Sequence, residues 1–287
     1  MAKLLTGKQV VASLGEGLAP RVAALAARGI TPTLAVVRMG ERPDDLSYER
    51  TAAKRAASLG IGVRSLALAA DASFDELACA IEAVNADASV HGCLVFRPLP
   101  PHVDEARACN LLLPEKDVDG ITSSSLAGVF AGAPQGFPPA TAQACLEVLD
   151  HYGVSVEGKH VVVVGRSLVI GRPVAMMLLG RNASVTLCHS KTEDLESLTR
   201  LADVMVCATG RPRAFGAAYF RSGQTVLDVG INFDAQGALC GDVDFDAVEP
   251  VLGDAGSITP VPGGLGSVTT SVTMAHVVQA AEKIAEG

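Results

Sequence analysis

The chain has 287 residues, a formal net charge of −8, seven cysteines and no tryptophan. That length is enough for two cores, and an acidic balance without a long basic block excludes a nucleic-acid-binding surface. The cysteines are odd in number and scattered, with no C-x-x-C pair, which excludes a disulfide framework or a zinc site and leaves buried thiols in a reducing compartment as the expectation.

Residues 10–28 have helical periodicity and end at Gly29, with Pro32 as a stop signal. Charges interrupt residues 1–28, so neither a signal peptide nor an anchor is expected there. No run is expected to span a bilayer, and the expectation is a soluble, cytoplasmic protein with no membrane partner. A strand at 33–37, a helix at 46–59 capped by Asp44 or Asp45, a strand at 62–69, a helix at 74–85 and a strand at 92–96 follow in turn. This β-α-β-α-β order implies a parallel sheet. Residues 109–140 are rich in Gly and Pro and read as a connection crossing between domains. A helix at 141–151 then leads into a second α/β segment.

That segment opens on four consecutive valines, Val161 to Val164, the pattern of a strand buried on both faces. Gly165 ends the strand, Gly171 follows six residues on, and 174–179 reads as a helix. A strand, a glycine-bearing turn and a helix amino terminus together make an anion site. A second strand at 183–188 completes a βαβ unit. Its end reads His189-Ser190-Lys191-Thr192, where an NAD-binding fold usually places an acid against the ribose hydroxyls. A hydroxyl and a cation there, with Arg166 in the first turn, favour NADP over NAD as cofactor. Strands at 204–208 and 225–229, a glycine-rich loop at 261–266 and a last helix at 272–285 finish the chain. The last helix has no strand after it and is expected to pack back on the first domain. The expected fold is α/β, with two α/β domains around a cleft. The first is 1–140 completed by 272–287, and the second is a Rossmann-like dinucleotide-binding domain, 141–271, with a mostly parallel sheet.

Five stretches carry a resemblance: Ser47-Tyr48 with Leu59-Gly60-Ile61, Pro114-Glu115-Lys116-Asp117-Val118-Asp119-Gly120, Gly165-Arg166-Ser167 with Gly171-Arg172-Pro173, Cys188-His189-Ser190-Lys191-Thr192, and Thr259-Pro260-Val261-Pro262-Gly263-Gly264-Leu265-Gly266. Over nearly its whole length the chain resembles the methylenetetrahydrofolate dehydrogenase/cyclohydrolase family. The resemblance implies that Tyr48 stacks on the folate ring system, a role suited to a rigid aromatic. It implies that Asp119 accepts two parallel N–H bonds from the amino-pyrimidine end of the pterin; Asp117 better fits a turn or cap. Tyr48 and Asp119 are thereby the candidate catalytic and substrate-binding pair. Pro262, Gly263 and Gly264 would lie between folate and nicotinamide, with glycines allowing close backbone approach. The family's NADP positions fall on Gly165, Arg166, Ser167, Gly171, Ser190, Lys191 and Ile231. A homodimer is implied as well, and no metal.

Two family positions differ together. The family's catalytic lysine, one helical turn after the tyrosine, is Ala52, and the glutamine of its V-Q-x-P-L-P motif is Phe96, followed by Arg97. Lys54 lies roughly 120° off the tyrosine face, and Arg55 cannot act as a base. Ser267 also replaces the family's usual proline, which nothing here explains. Removing a hydride from 5,10-methylenetetrahydrofolate needs no protein base, because the substrate's own nitrogen lone pair supports the developing cation. Hydrolysing the methenyl product needs proton transfers, for which a positioned acid/base is worth roughly 10²–10⁴-fold. The first reading is therefore an NADP-dependent dehydrogenase with weak or absent cyclohydrolase activity. The alternatives are the bifunctional enzyme, with Arg97, Lys54 or a water in the lost role, and a non-catalytic folate- or nucleotide-binding regulator.

Overall fold

The computed structural model describes residues 1–286. The chain divides into two compact units, one of Met1–Ala12 with Thr141–Thr269, the other of Ser13–Ala140 with the chain from Thr270 onward. In chain order come β1 (Lys3–Leu4), α1 (Gly7–Ala27), β2 (Thr33–Met39), α2 (Pro43–Ser58), β3 (Gly62–Leu68), α3 (Phe74–Ala86), β4 (Gly92–Val95), α4 (Glu105–Cys109) and α5 (Ser123–Ala131). Then follow α6 (Ala140–His151), β5 (His160–Val164), α7 (Gly171–Leu179), β6 (Ser184–Cys188), α8 (Leu195–Leu201), β7 (Val204–Cys207) and β8 (Thr225–Asp228). The chain closes with β9 (Asn232–Phe233), β10 (Leu239–Cys240), α9 (Phe245–Leu252), β11 (Ser257–Ile258) and α10 (Leu265–Glu286).

In the unit built from 13–140, three parallel strands run in the order β3-β2-β4. Side chains alternate across β2 with period two. Leu34 and Val36 join one buried cluster with Ala52, Phe96 and, from α10, Met274 and Val277. Ala35, Val37 and Met39 join a second cluster with Leu77 and Ile81 of α3. The last helix thus contributes to this unit's core. A capping box of Ser73 and Glu76 starts α3. By contrast, α2 begins at Pro43 behind Arg42 with no side-chain cap, and Asp45 instead receives two hydrogen bonds from the Arg42 guanidinium, at 2.7 and 2.8 Å.

Residues 109–140 do not form the expected crossing connection. They belong to this same unit and contain a 3₁₀ turn at Pro114–Lys116 and the whole of α5. The glycines that suggested a linker are turn and cap residues, with Gly120 and Gly132 both at φ 64°.

The other unit carries a six-stranded parallel sheet in the order β1-β11-β8-β7-β5-β6, and an antiparallel β9–β10 pair. Lys3 pairs with Ser257 and Leu4 with Ile258, so residues 1–12 join the nucleotide unit rather than the 13–140 unit. A two-residue strand has no periodicity that could announce this. Contrary to expectation, α1 is long and apolar enough to cross a membrane by length and composition alone, although it contains Lys8, Glu16 and Arg21. Its Val10, Leu18, Val22 and Leu25 are buried within the fold.

His276 on α10 is buried, stacks near Phe137 at 4.9 Å between ring centroids, and donates from Nδ1 to the Val118 carbonyl at 2.8 Å. Burial pushes its pKa from 6.5 down to about 4; Lys283 acts in the same sense, while the Val118 carbonyl and Asp117 oppose it. The unfolded chain therefore takes up a proton first on acidification. The stability tied to a neutral His276 is present above about pH 6.5 and is lost as pH falls toward about 4. The melting temperature of the wild type should accordingly fall more between pH 6.5 and 4.5 than that of His276→Asn, measured by calorimetry in matched buffers.

Candidate functional site

In the 13–140 unit the candidate site grows from the turn after Pro114–Lys116, where three successive residues are pinned inward. The buried Lys116 ammonium donates to the carbonyls of Val84, Asn85 and Asp87 at 2.7, 3.0 and 2.7 Å, closing the carboxyl end of α3. Asp117 is fully buried and accepts from the N–H of Ile121 and Thr122 and from the Ser125 hydroxyl, at 2.9, 2.8 and 2.6 Å. Val118 is held by His276. The fourth residue, Asp119, keeps 25% of its side chain exposed and faces Arg97, with Nη2 4.0 Å from Oδ2. Burial pushes the Asp119 carboxyl up to about 7; Asp117 adds to the rise and Arg97 opposes it.

Tyr48 sits on α2 with 36% of its surface exposed. Its ring lies 5.6 Å from that of Phe96, tilted by 59°, and its hydroxyl bonds to Thr270 and Thr273. Burial of that phenol end, with the charge of Asp119, pushes its pKa to about 12. The partly buried Arg38–Glu49 pair, at 2.9 Å, ties this part of α2 to β2. One turn beyond Tyr48, Ala52 has no exposed surface and shares an apolar cluster with Phe96, Ala56, Leu94, Val118 and Phe137. Of the basic side chains named for the lost role, Lys54 is exposed and Arg55 bonds through Nε to Ser271 Oγ at 3.2 Å.

In the nucleotide unit, the carboxyl ends of β5, β6 and β7 open on a cavity of about 480 Å³. Gly165, at φ 133°, could carry no side chain, since a Cβ would stand 2.1 Å from the Ala208 carbonyl oxygen. A Cβ on Gly171 would stand 2.0 Å from the Gly165 oxygen. The two glycines therefore let β5, the turn and the start of α7 close on one another, which accounts for their unusual spacing. Ile170 precedes α7 without a side-chain cap; in its first turn Arg172 N–H bonds to the Ser167 carbonyl at 3.0 Å and Pro173 has no N–H, which leaves Gly171 N–H to face an anion.

Of the residues assigned to the nucleotide from the sequence, Gly165, Arg166, Ser167 and Ser190 line this cavity. Lys191 does not; its N–H donates to His189 Nδ1 at 3.2 Å. Gly171 packs beneath the turn, and Ile231 belongs with Pro262, Gly263 and Gly264 to a second hollow of about 220 Å³. The cavity wall also includes His189, Thr209, Arg211, Phe215 and Tyr219, which sequence reasoning missed. The position of Thr209 and Arg211 just beyond the end of β7 was the available signal, because ligands bind at that edge of a parallel sheet. Asp242 shapes their turn by accepting from the N–H groups of Thr209, Gly210 and Arg211. Asp228 in turn accepts from the N–H groups of Gly230, Asp242 and Val243 at 3.0, 2.9 and 2.9 Å.

The lining carries two guanidinium groups and no carboxylate, so the residues present fit a dinucleotide with an added phosphate. This edge of the sheet defines a Rossmann-type dinucleotide-binding enzyme.

The comparisons narrow the class. The family model for the tetrahydrofolate dehydrogenase/cyclohydrolase NAD(P)-binding domain matches residues 139–285, and that for the catalytic domain matches residues 5–119. The chain belongs to the tetrahydrofolate dehydrogenase/cyclohydrolase family. It is 47% identical over 284 residues to the bifunctional protein FolD of Carboxydothermus hydrogenoformans, covering 98% of each chain. Among solved structures it is similar to the bifunctional FolD enzyme of Campylobacter jejuni, with a TM-score of 0.95 and 35% identity over 99% of each chain. It is also similar to the Trypanosoma brucei enzyme solved with NADP cofactor and inhibitor, with a TM-score of 0.92 and 32% identity over 100% of this chain and 99% of that one.

The glycine contacts make a direct prediction. Gly171→Ala forces backbone apart at the end of β5 and should weaken NADP binding at least tenfold, alongside a loss of stability on the order of 1–3 kcal/mol. Calorimetric titration with NADP and thermal melting measure the two effects.

Proposed function

We propose that this chain is an NADP-dependent 5,10-methylenetetrahydrofolate dehydrogenase of one-carbon metabolism whose methenyl cyclohydrolase activity is weak or absent. The observation that carries the second half is the burial of Ala52 and Phe96 in one apolar cluster, at the two positions where the family resemblance leads one to expect lysine and glutamine. An apolar packed region neither holds a base nor admits water to be activated.

For the dehydrogenase half, Tyr48 offers an exposed aromatic surface for the pterin, and Asp119 offers two carboxylate oxygens for its amino-pyrimidine edge. NADP, held by Gly165, Arg166, Ser167 and Ser190, supplies when bound the acceptor for the hydride leaving the substrate's methylene carbon. Arg166 and Ser190 suit its 2′-phosphate, and the Gly165–Gly171 cradle brings backbone N–H groups against the pyrophosphate. What remains for the protein to provide is position, since the substrate nitrogen stabilises the cation that forms. The family resemblance further supports a homodimer, and the composition of the chain is the ground for placing it in the cytoplasm.

The competing reading is the bifunctional enzyme, favoured by the bifunctional FolD relatives. Arg97 is the basic group nearest to Asp119, and a guanidinium cannot take a proton near neutral pH. One assay separates the two. With 5,10-methylenetetrahydrofolate and NADP, purified protein should build methenyl absorbance that then decays only at its spontaneous rate. Ala52→Lys combined with Phe96→Gln should accelerate that decay by about 10²-fold or more. Rapid enzyme-dependent loss of absorbance in the wild type would reject the monofunctional reading.

A further inference from the structure

The half-buried Asp119 carboxylate differs from three fully or nearly fully buried aspartates of the fold. Asp117, Asp228 and Asp242 are each saturated by backbone N–H donors. Asp119, among the described residues, has one cationic neighbour, Arg97, at 4.0 Å. That separation is too long for a hydrogen bond and short enough for a strong through-space attraction. Both side chains keep about a quarter of their surface open, 24% for Arg97 and 25% for Asp119. The pair lies in a partly desolvated recess whose remaining charge works against the carboxylate. Asp117 stands two residues earlier on the same turn, and the Tyr48 phenol of α2 and the Cys109 thiol at the end of α4 also face it.

We propose that Arg97 is a positioning residue for folate binding: it holds the Asp119 carboxylate ionised while leaving both oxygens free for the two parallel N–H donors of a 2-amino-4-oxopyrimidine ring. This rests on the reading of Asp119 as the pterin anchor. Only the ionised carboxylate accepts both N–H bonds, since a protonated one spends an oxygen on its own hydrogen. The burial and the neighbouring Asp117 push Asp119 toward that protonated form, to about 7, and Arg97 is the group that opposes them. A neutral residue at 97 therefore moves the ionisation of Asp119 to higher pH.

The test is the KM for 5,10-methylenetetrahydrofolate from pH 6 to 9 in the wild type, Arg97→Met, Arg97→Lys and Asp119→Asn, with the KM for NADP measured in parallel. In the wild type the folate KM should fall as pH rises through the Asp119 ionisation. In Arg97→Met that fall should move to higher pH by about one unit, so that KM is raised about fivefold near pH 7, approaches tenfold toward pH 6 and rejoins the wild-type value toward pH 9. Arg97→Lys should keep the wild-type profile, and the KM for NADP should not move in either variant. A folate KM unchanged in Arg97→Met, or raised equally at every pH, would overturn the assignment of Arg97. A folate KM unchanged in Asp119→Asn would remove the pterin anchor itself, and the proposal with it.

Discussion

Both units depend on the same device: a buried aspartate that collects the backbone N–H groups of a turn. Asp117 does this in the 13–140 unit, and Asp228 and Asp242 do it in the nucleotide unit. Such a turn has more N–H donors than its own backbone can satisfy, and an unsatisfied buried donor costs about 1–3 kcal/mol. A carboxylate with several acceptor sites resolves this in one residue. It also removes the turn's freedom, so the residues that follow are held in place before any ligand arrives. Asp119 and the Thr209–Arg211 segment are aimed in this way.

The candidate sites then draw on different physics. The nucleotide cavity is a matter of backbone approach, with Gly165 and Gly171 removing every atom that would keep strand, turn and helix apart. The Tyr48–Asp119 site is a matter of charge in a half-desolvated recess, where one cation decides the state of one anion. The first is rigid and tolerates no added carbon. The second can be tuned by a single substitution.

Much of this could be read from the residues alone, for identifiable reasons. The run Val161 to Val164 announced β5, because a strand buried on both faces needs no polar side. Strands β2 to β4 and helices α2 and α3 followed from periodicity and glycine stops. The two-residue strands β1, β9, β10 and β11 could not be seen, since they are too short to carry any period. The helix within 109–140 was hidden by its turn glycines, which read the same in a linker as in a cap. Of the candidate residues, Lys191 was placed by motif position, and the fold turns its segment so that Ser190 rather than Lys191 lines the cavity. The role of Asp242 depends on a contact with Thr209 more than thirty residues away in sequence, which no local pattern reveals.

Ala52 and Phe96 share a packed interior with Val118 and Phe137, and this limits what either position can hold. A lysine restored at 52 alone would press an ammonium group into hydrocarbon, at a cost of several kcal/mol. A glutamine restored at 96 alone would leave an amide there without partners and a void beside the alanine. Each residue is thus the setting that makes the other tolerable. A lysine at 52 with a glutamine at 96 fits this packing only as a pair of substitutions made together, so the two positions behave as one unit.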